Sequence, residues 1–315
     1  MRILRGSADV QPGGPFAVAI GIFDAVHPGH QALLRVALER AAADGIESLA
    51  YSFHPHPARV LAPAQAPALI ESTARRLQRF AAAGLAAAVL EPFDRAFAAM
   101  EAEQFVREIL VGRLAARHVI VGAGFRFGRQ QRGDVELLRE LGGALGFQVA
   151  EVGPVMLDAE RISSTRIRAA LSRGDVSLAG RLLARPYSLR GAVIHGAGRG
   201  GRIGFPTANI VPDAELWPAP GVYAGRLAQL DEQGSVVGAP LPAVVNIGSA
   251  PTFGREQAVV EAHALRPPDG PLYDRQVDLQ LIQRLRDVQR FADAAALTAQ
   301  IGRDIADAQG ILAGP

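Results

Sequence analysis

Two histidines three residues apart, His27 and His30, stand in the run Ile20-Gly-Ile-Phe-Asp-Ala-Val-His-Pro-Gly-His30. An imidazole can donate a hydrogen bond and can take positive charge as negative charge develops in a transition state. What surrounds the pair decides its use. It follows an apolar run, 16–23, and precedes a stretch in which Leu34, Ala37, Leu38 and Ala41 recur at helical spacing. Strand, tight turn and helix in this order make a nucleotide-binding crossover, where the N–H groups of the helix start attract a phosphate. The pattern predicts nucleotide chemistry over the alternatives, a metal pair or two surface histidines.

Three more clusters carry chemistry. In Ile162-Ser-Ser-Thr-Arg-Ile-Arg168, Ser163 or Ser164 can cap a helix that continues through Leu171. Thr165 and Arg168, three apart, share a face near its positive end, which makes an anion site; the alternative is an ordinary capped helix. In Val121-Gly-Ala-Gly-Phe-Arg-Phe-Gly128, glycines let a ligand approach the backbone, and Phe125 and Phe127 can stack on a flat ring or serve as core aromatics. The last cluster is Gly204-Phe-Pro-Thr-Ala-Asn209, preceded by the glycine-rich run 196–202. Such a run can wrap phosphates, while Thr207 and Asn209 offer oxygens to Mg²⁺, a hard cation that bridges substrate phosphates. Downstream, Val259-Val-Glu-Ala-His-Ala-Leu265 alternates in strand register and puts Glu261 and His263 on one face. A carboxylate there can accept a proton from an attacking alcohol, or be a solvated strand residue.

The elements that must position these residues fall into two textures. The first half alternates strands at 16–23, 48–53, 86–90, 118–122 and 147–152 with helical patterns at 30–43, 71–83, 102–115 and 134–145. That rhythm predicts βαβ units and a mainly parallel sheet with helices on both faces. Helices at 164–172 and 175–183 come next. After Arg185-Pro186 the helices give way to short runs at 189–194, 221–230, 241–247, 258–265 and 276–282, an antiparallel barrel or sandwich, with a closing helix at 291–309. The boundary is placed near residue 185, giving domains 1–184 and 185–315.

Composition narrows the chemistry further. The 315 residues are 49% hydrophobic and 20% charged, with a formal net charge of +2, as in an ordinary globular protein. There is no cysteine, which excludes disulfides, a thiolate nucleophile and cysteine-ligated metal. There is no lysine either, so phosphates must be held by Arg, His, backbone N–H groups and a metal, without a Schiff base or a P-loop lysine. No basic run suggests nucleic acid, and no segment suggests a signal peptide or membrane span, so a soluble cytoplasmic protein is expected.

Together and in this order, the motifs resemble the bifunctional bacterial riboflavin kinase/FAD synthetase family over nearly the whole chain. The family's first module carries the histidine loop, an F-x-P-H-P segment (Phe53-His-Pro-His-Pro57), a V-G-x-D-F-R-F-G turn and an I-S-S-T-x-I-R helix. Its second carries G-F-P-T-A-N, G-V-Y (Gly221-Val-Tyr223), N-I-G-x-x-P-T-F-G (Asn246 to Gly254) and a strand glutamate in E-x-H. The resemblance implies a Rossmann-like nucleotidyltransferase domain followed by a β-barrel riboflavin kinase domain with a C-terminal helix. It implies that the kinase phosphorylates riboflavin to FMN with Mg·ATP, Glu261 acting as base. Thr207 and Asn209 hold the metal and nucleotide, with Gly196, Gly204 and Pro206 beside them. The first domain then joins FMN to the α-phosphorus of ATP, giving FAD and pyrophosphate. Gly21, Phe23, Asp24, His27, Gly29 and His30 map onto its nucleotidyltransferase loop, Phe125 and Phe127 onto its aromatic turn, and Ser163, Ser164, Thr165 and Arg168 onto its phosphate-binding helix. The expected partners are riboflavin, FMN, FAD, ATP and ADP, and neither nucleic acid nor a membrane.

The sequence departs from the family pattern in four places. Ala25 replaces a glycine, which matters if that residue needs a positive φ. Gly124 replaces a polar residue before Phe125, Ala197 and Gly198 replace an Asp-Lys pair, and Gly201 stands where an arginine is usual, with Arg202 one place later. Two other readings compete: a single active module, or a regulator that senses flavin. Retention of Glu261, Thr207, Asn209, His27 and His30 argues against a sensor, which needs no proton acceptor.

Overall fold

In the computed structural model, residues 1–10, 14–196, 201, 204–252, 255–268 and 270–313 are described. They form two compact units, Met1–Ser163 and Ser164–Pro315.

The first unit is built on six strands: β1 (Arg2–Leu4), β2 (Phe16–Ile20), β3 (Glu47–His54), β4 (Ala87–Pro92), β5 (Ala116–Gly122) and β6 (Gln148–Val152). They lie in the order β1-β4-β3-β2-β5-β6, and every pairing is parallel. All five residues of β2 are buried, as a parallel strand covered on both faces requires. Its two faces differ in size. Ala17 and Ala19 turn to the side of the helix Pro28–Asp44, with Leu34, Ala37 and Phe80, and their small side chains let that helix approach closely. Phe16, Val18 and Ile20 face a larger cluster with Leu49, Tyr51, Phe105 and Leu110. β1, three residues on the sheet edge, is too short to leave a periodic signal. The helical pattern at 102–115 appears as Ala102–Gln104 running on into a wider π-helical winding, Phe105–Arg113. A small antiparallel hairpin, β7 (Met156–Leu157) and β8 (Glu160–Arg161), stands near the end of the unit.

Strand order reverses at β2: β3 and β4 extend to one side, β5 and β6 to the other. Ligands of doubly wound sheets bind at the carboxyl ends of the strands beside such a switch. The loops leaving β2 and β5, which carry the histidine run and the Gly-Phe turn, open side by side at that place.

The second unit opens with the helices Ser164–Ser172 and Val176–Leu183. Beyond them come six strands: β9 (Tyr187–Ile194), β10 (Ala208–Pro212), β11 (Gly221–Leu230), β12 (Val236–Thr252), β13 (Arg255–Ala264) and β14 (Gln276–Arg286). The six close as an antiparallel barrel, β10-β13-β12-β11-β14-β9. Of the barrel or sandwich expected, the barrel is formed. Register and burial agree on its interior, which holds Leu189, Val193, Ile210, Val245, Val260, Ala262 and Leu279. On the outside the C-terminal helix Ala294–Leu312 lays Ala308 against Val222, Ala224 and Val244. Its Asp304 accepts from the Arg286 guanidinium through both oxygens, at 2.9 and 2.7 Å.

The helices Ser164–Ser172 and Val176–Leu183 precede the expected boundary at 185 yet group with the barrel. Ser177 Oγ donates to Ile282 O at 3.0 Å, and Ala219 N donates to Leu171 O at 3.0 Å.

Candidate active sites

The loop after β2 is strained and heavily tied. Phe23, Ala25 and Val26 have φ of 57°, 68° and 39°, in the left-handed region that non-glycine residues avoid. Such conformations cost of order 1–3 kcal/mol each and persist only where the surroundings over-determine them. Here they do. Asp24, buried, accepts from Ile70 N at 3.1 and 3.3 Å; Ser52 Oγ and Arg76 NH1 donate to Ile22 O at 3.1 and 2.6 Å; Gln31 Nε2 donates to Val26 O at 3.0 Å. The Phe23 ring folds under Gly21. Ala25 therefore does occupy a positive φ where the family pattern has glycine, and it is fully buried.

His27 is the N-cap of the helix Pro28–Asp44, its Nδ1 accepting from His30 N at 3.4 Å. The two rings stack with centroids 3.7 Å apart and planes 19° from parallel. A Cβ at Gly29 would meet the His27 ring at 3.1 Å, so glycine keeps room for the stack. Phe23 packs its edge on His30 at 5.3 Å. His30 Nδ1 is buried without a hydrogen-bond partner among the described residues. Burial above all, and then the positive potential of His27, Arg76 and Arg161, pushes the His30 imidazole well below its ordinary pKa. It is thus neutral at pH 7 until an anion arrives. The helix's first turn carries no acidic side chain, so its positive end is left for an anion.

At the end of β5, Gly124 has φ 76° and open space about it. Of the two uses open to Phe125 and Phe127, packing is the one the fold displays for Phe127. It is 8% exposed, stacked on Phe125 at 5.6 Å and packed on Phe105 at 5.7 Å, hence a core aromatic. Phe125 is half-buried and packs against the same core. In the Phe53–Pro57 segment, His56 caps the turn Pro57–Leu61 and His54 Nδ1 lies 3.4 Å from Thr73 Oγ1. The helix of the Ser-Ser-Thr motif begins at Ser164, which puts Ser163 at the cap position.

On the barrel, register settles what local pattern left open. Glu261 of β13 pairs with Asn209 of β10 on one side and Asn246 of β12 on the other. The neighbouring Val260 and Ala262 point inward, so the carboxylate and its two amides form a row on the outer face. Asn246 Nδ2 donates to Glu261 Oε2 at 3.3 Å. His263, on the same face, has its Nδ1 2.8 Å from Pro206 O and its ring edge-on to Phe205 at 5.5 Å. It thereby fixes the Phe205-Pro206-Thr207 segment. A Cβ on Gly196 would run into the Asn209 amide, which would have to swing aside. Gly204 takes φ 88° and is exposed. Ala197, Gly198 and Arg202 lie outside the described residues, and Gly201 is exposed. A cavity of about 470 Å³ opens beside Thr207 and His263; Val193, Ala208, Leu227 and Ala262 form its apolar wall and Tyr273 stands at its rim.

Two contributors escape the sequence. Asn246 is legible only as part of a motif, and its partnership with Glu261 arises from strands fifteen residues apart in the chain. Arg76 is one of several arginines in a helical pattern, and nothing local marks it as buried beneath the histidine loop.

A doubly wound unit with imidazoles at its switch point, followed by a barrel carrying a carboxylate between amides, defines a two-module transferase acting on ATP. Comparison with known proteins narrows the class. Residues 11–166 match the FAD synthetase family and residues 183–312 the riboflavin kinase family. Curated bifunctional riboflavin kinase/FMN adenylyltransferases are 36% identical over 306 residues in Escherichia coli (strain K12), covering 96% of both chains, and 38% identical in Pseudomonas fluorescens, covering 99% of this chain and 98% of the other. The chain belongs to this bifunctional family. A crystal structure from Streptococcus pneumoniae, named as a macrolide-efflux protein, shares its fold with a TM-score of 0.84 at 28% identity, covering 98% of each chain. Among the described residues of this chain, no helix is long and apolar enough to cross a membrane.

Proposed function

We propose that the family's two reactions are divided between residues 1–184, which adenylylate FMN, and 185–315, which phosphorylate riboflavin. The chain is a riboflavin kinase and FMN adenylyltransferase by its family membership. Each step falls to its own set of residues.

In the kinase, Glu261 accepts the proton of the ribityl 5′-hydroxyl as that oxygen attacks the γ-phosphorus of ATP, releasing ADP. Asn246 orients the carboxylate by its hydrogen bond. Thr207 and Asn209 supply hydroxyl and amide oxygens beside that carboxylate, a donor set that suits Mg²⁺ carried by the substrate's phosphates. When bound, the metal neutralises phosphate charge. The apolar cavity next to Thr207 is sized for a nucleoside. Gly196, Gly204 and Pro206 shape the chain around it.

In the adenylyltransferase, the FMN phosphate attacks the α-phosphorus of ATP, and pyrophosphate leaves. His27, His30 and the helix start at Gly29 stabilise charge on the transferring and leaving phosphates. Gly21, Phe23 and Asp24 hold the loop in shape, and Phe125 offers a face to a ring. The FAD synthetase match runs to residue 166 and takes in Ser163, Ser164 and Thr165. Their hydroxyls, with Arg168 one turn on, suit an anion. A cysteine-free chain acting on ATP fits a cytoplasmic location.

The observation that carries this reading is the row Asn209–Glu261–Asn246 beside Thr207, which sets a carboxylate between two amides where it can accept the proton of an alcohol. The test is to supply riboflavin, ATP and Mg²⁺ and resolve FMN and FAD over time by chromatography. Formation of FAD with FMN as a transient supports it, and absence of either product refutes the corresponding half.

A further inference from the structure

Arg76 is buried and charged, and the chemistry assigned above leaves it without a task. It stands on the helix Thr73–Ala82 with 7% exposure. Its NH1 donates to Ile22 O at 2.6 Å and its NH2 to Phe53 O at 3.4 Å, while Nε has no partner among the described residues. Ile22 lies just past β2, and Phe53 lies at the carboxyl end of β3. One guanidinium thus ties together the two neighbouring chain ends where the histidine loop begins. Burying a cation is expensive, and an apolar side chain of similar volume often serves stability equally well. A planar fork of fixed geometry does something an apolar group cannot: it holds two carbonyls at a set spacing.

We propose that Arg76 is a positioning residue for adenylyl transfer, holding the strained loop 21–27 in the shape that presents His27 and His30. The inference rests on the assignment of adenylyl transfer to that loop. Four residues beyond Ile22, the chain has passed through three left-handed conformations, and it keeps them only if its entry is pinned. Arg76 pins the entry, and Asp24, whose negative charge faces Arg76, pins the middle through Ile70 N.

The same cation also acts through space. The groups that face His30 are His27 on its own loop, Arg76 from the helix Thr73–Ala82 and Arg161 from the hairpin at 156–161, all positive or able to become so. Together they keep the imidazole uncharged in the free protein and draw an anion toward it. A role confined to packing would leave the ionisation of His30 untouched, which separates the two explanations.

The full-length variants Arg76→Met, Arg76→Gln and Arg76→Lys test this. Three quantities are read: FAD formation from supplied FMN, ATP and Mg²⁺; riboflavin phosphorylation in the same samples; and the titration of the His30 ring by NMR. Arg76→Met is expected to lower kcat for FAD formation about 100-fold, the scale of a displaced catalytic group, with KM changed less than about threefold. Riboflavin phosphorylation stays at the wild-type rate, and His30 titrates at higher pH. Arg76→Gln, which keeps a donor and can fold where methionine fails, loses about tenfold in kcat and moves the His30 titration the same way. Arg76→Lys keeps the charge but not the two-pronged fork, so it leaves the His30 titration near wild type while kcat falls about tenfold, less than in the methionine variant. The proposal is overturned by a folded Met or Gln variant with wild-type kcat, by equal loss of both activities, or by a lysine variant no better than methionine. Undiminished FAD formation in His30→Ala would instead overturn the assignment of the loop, whatever Arg76 does.

Discussion

The two candidate sites are built on opposite physical plans. In the parallel-sheet unit His27 is buried and His30 half-buried with its Nδ1 enclosed, their loop is strained at three residues, and hydrogen bonds from Ser52, Arg76 and Gln31 hold its carbonyls. Its geometry exists before any substrate arrives. On the barrel, Glu261, Asn209 and Asn246 stand half-exposed on an outer face, held in place by strand register rather than by a surrounding shell. The contrast follows from the chemistry each site faces. A phosphate nucleophile is already ionised and needs only charge stabilisation, which works best when donors are fixed in a low dielectric. An alcohol must lose a proton, so the barrel site has to offer a proton acceptor within reach of the attacking oxygen.

The largest break in this comparison comes from Glu261→Gln. The amide keeps the shape and cannot accept the proton, so FMN formation should fall by roughly 10²–10⁴. FAD formation from supplied FMN, measured in the same preparation, stays near wild type. Full-rate phosphorylation would make Glu261 a solvated strand residue, and the base would then be sought elsewhere, first at His263, whose Nδ1 faces Pro206 O and leaves Nε2 to accept a proton.

The reverse separation belongs to His30→Ala. Removing a preorganised donor lowers FAD formation by about 10²–10³, with riboflavin phosphorylation retained. Loss of FMN production to the same extent would show that one site serves both steps.

Asn246→Ala asks whether the barrel carboxylate needs its partner. Loss of a hydrogen bond to a charged group is worth about 1.5 kcal/mol at a half-exposed position, so kcat for phosphorylation should drop about tenfold. Steady-state assays in which KM rises and kcat is unchanged would reassign Asn246 to substrate binding.

The plan of the first site also predicts a pH dependence of stability. His30 is held neutral, its folded pKa depressed below the ordinary 6.5. The unfolded chain then binds the extra proton first, so stability is full above about pH 6.5 and declines as pH falls toward the folded value. Thermal unfolding of the first unit followed from about pH 7.5 to 5 should show the decline, and His30→Ala should flatten it. A decline of equal slope in the variant would place its origin in other groups.

Ala25→Gly is the gentlest probe. Relief of a positive φ, about 1–2 kcal/mol, is offset by loss of a buried methyl and by the freer unfolded chain, together of similar size. Denaturant midpoints should therefore correspond to a change of less than about 1 kcal/mol. A larger loss would show that the Ala25 methyl is itself part of the packing that holds the loop.

Much of this molecule is legible in the chain. Continuous apolar runs such as Phe16–Ile20, alternating with helical spacing, determine a parallel sheet covered on both faces, because each element must bury its own periodicity. The motifs around His27, Thr207 and Glu261 determine the family, since their residue types and order are local facts. Some boundaries shift for local reasons: the helix starts at Pro28, before its first periodic apolar residue, because proline suits a first turn. What tertiary structure alone decided concerns pairs distant in sequence. Strand closure chose barrel over sandwich and set Asn246 against Glu261. Packing turned Phe127 into the core and left Phe125 half-buried against it. Burial made His30 neutral and brought Arg76 beneath its loop. These outcomes depend on desolvation and on contacts across the chain, quantities that no stretch of residues carries by itself.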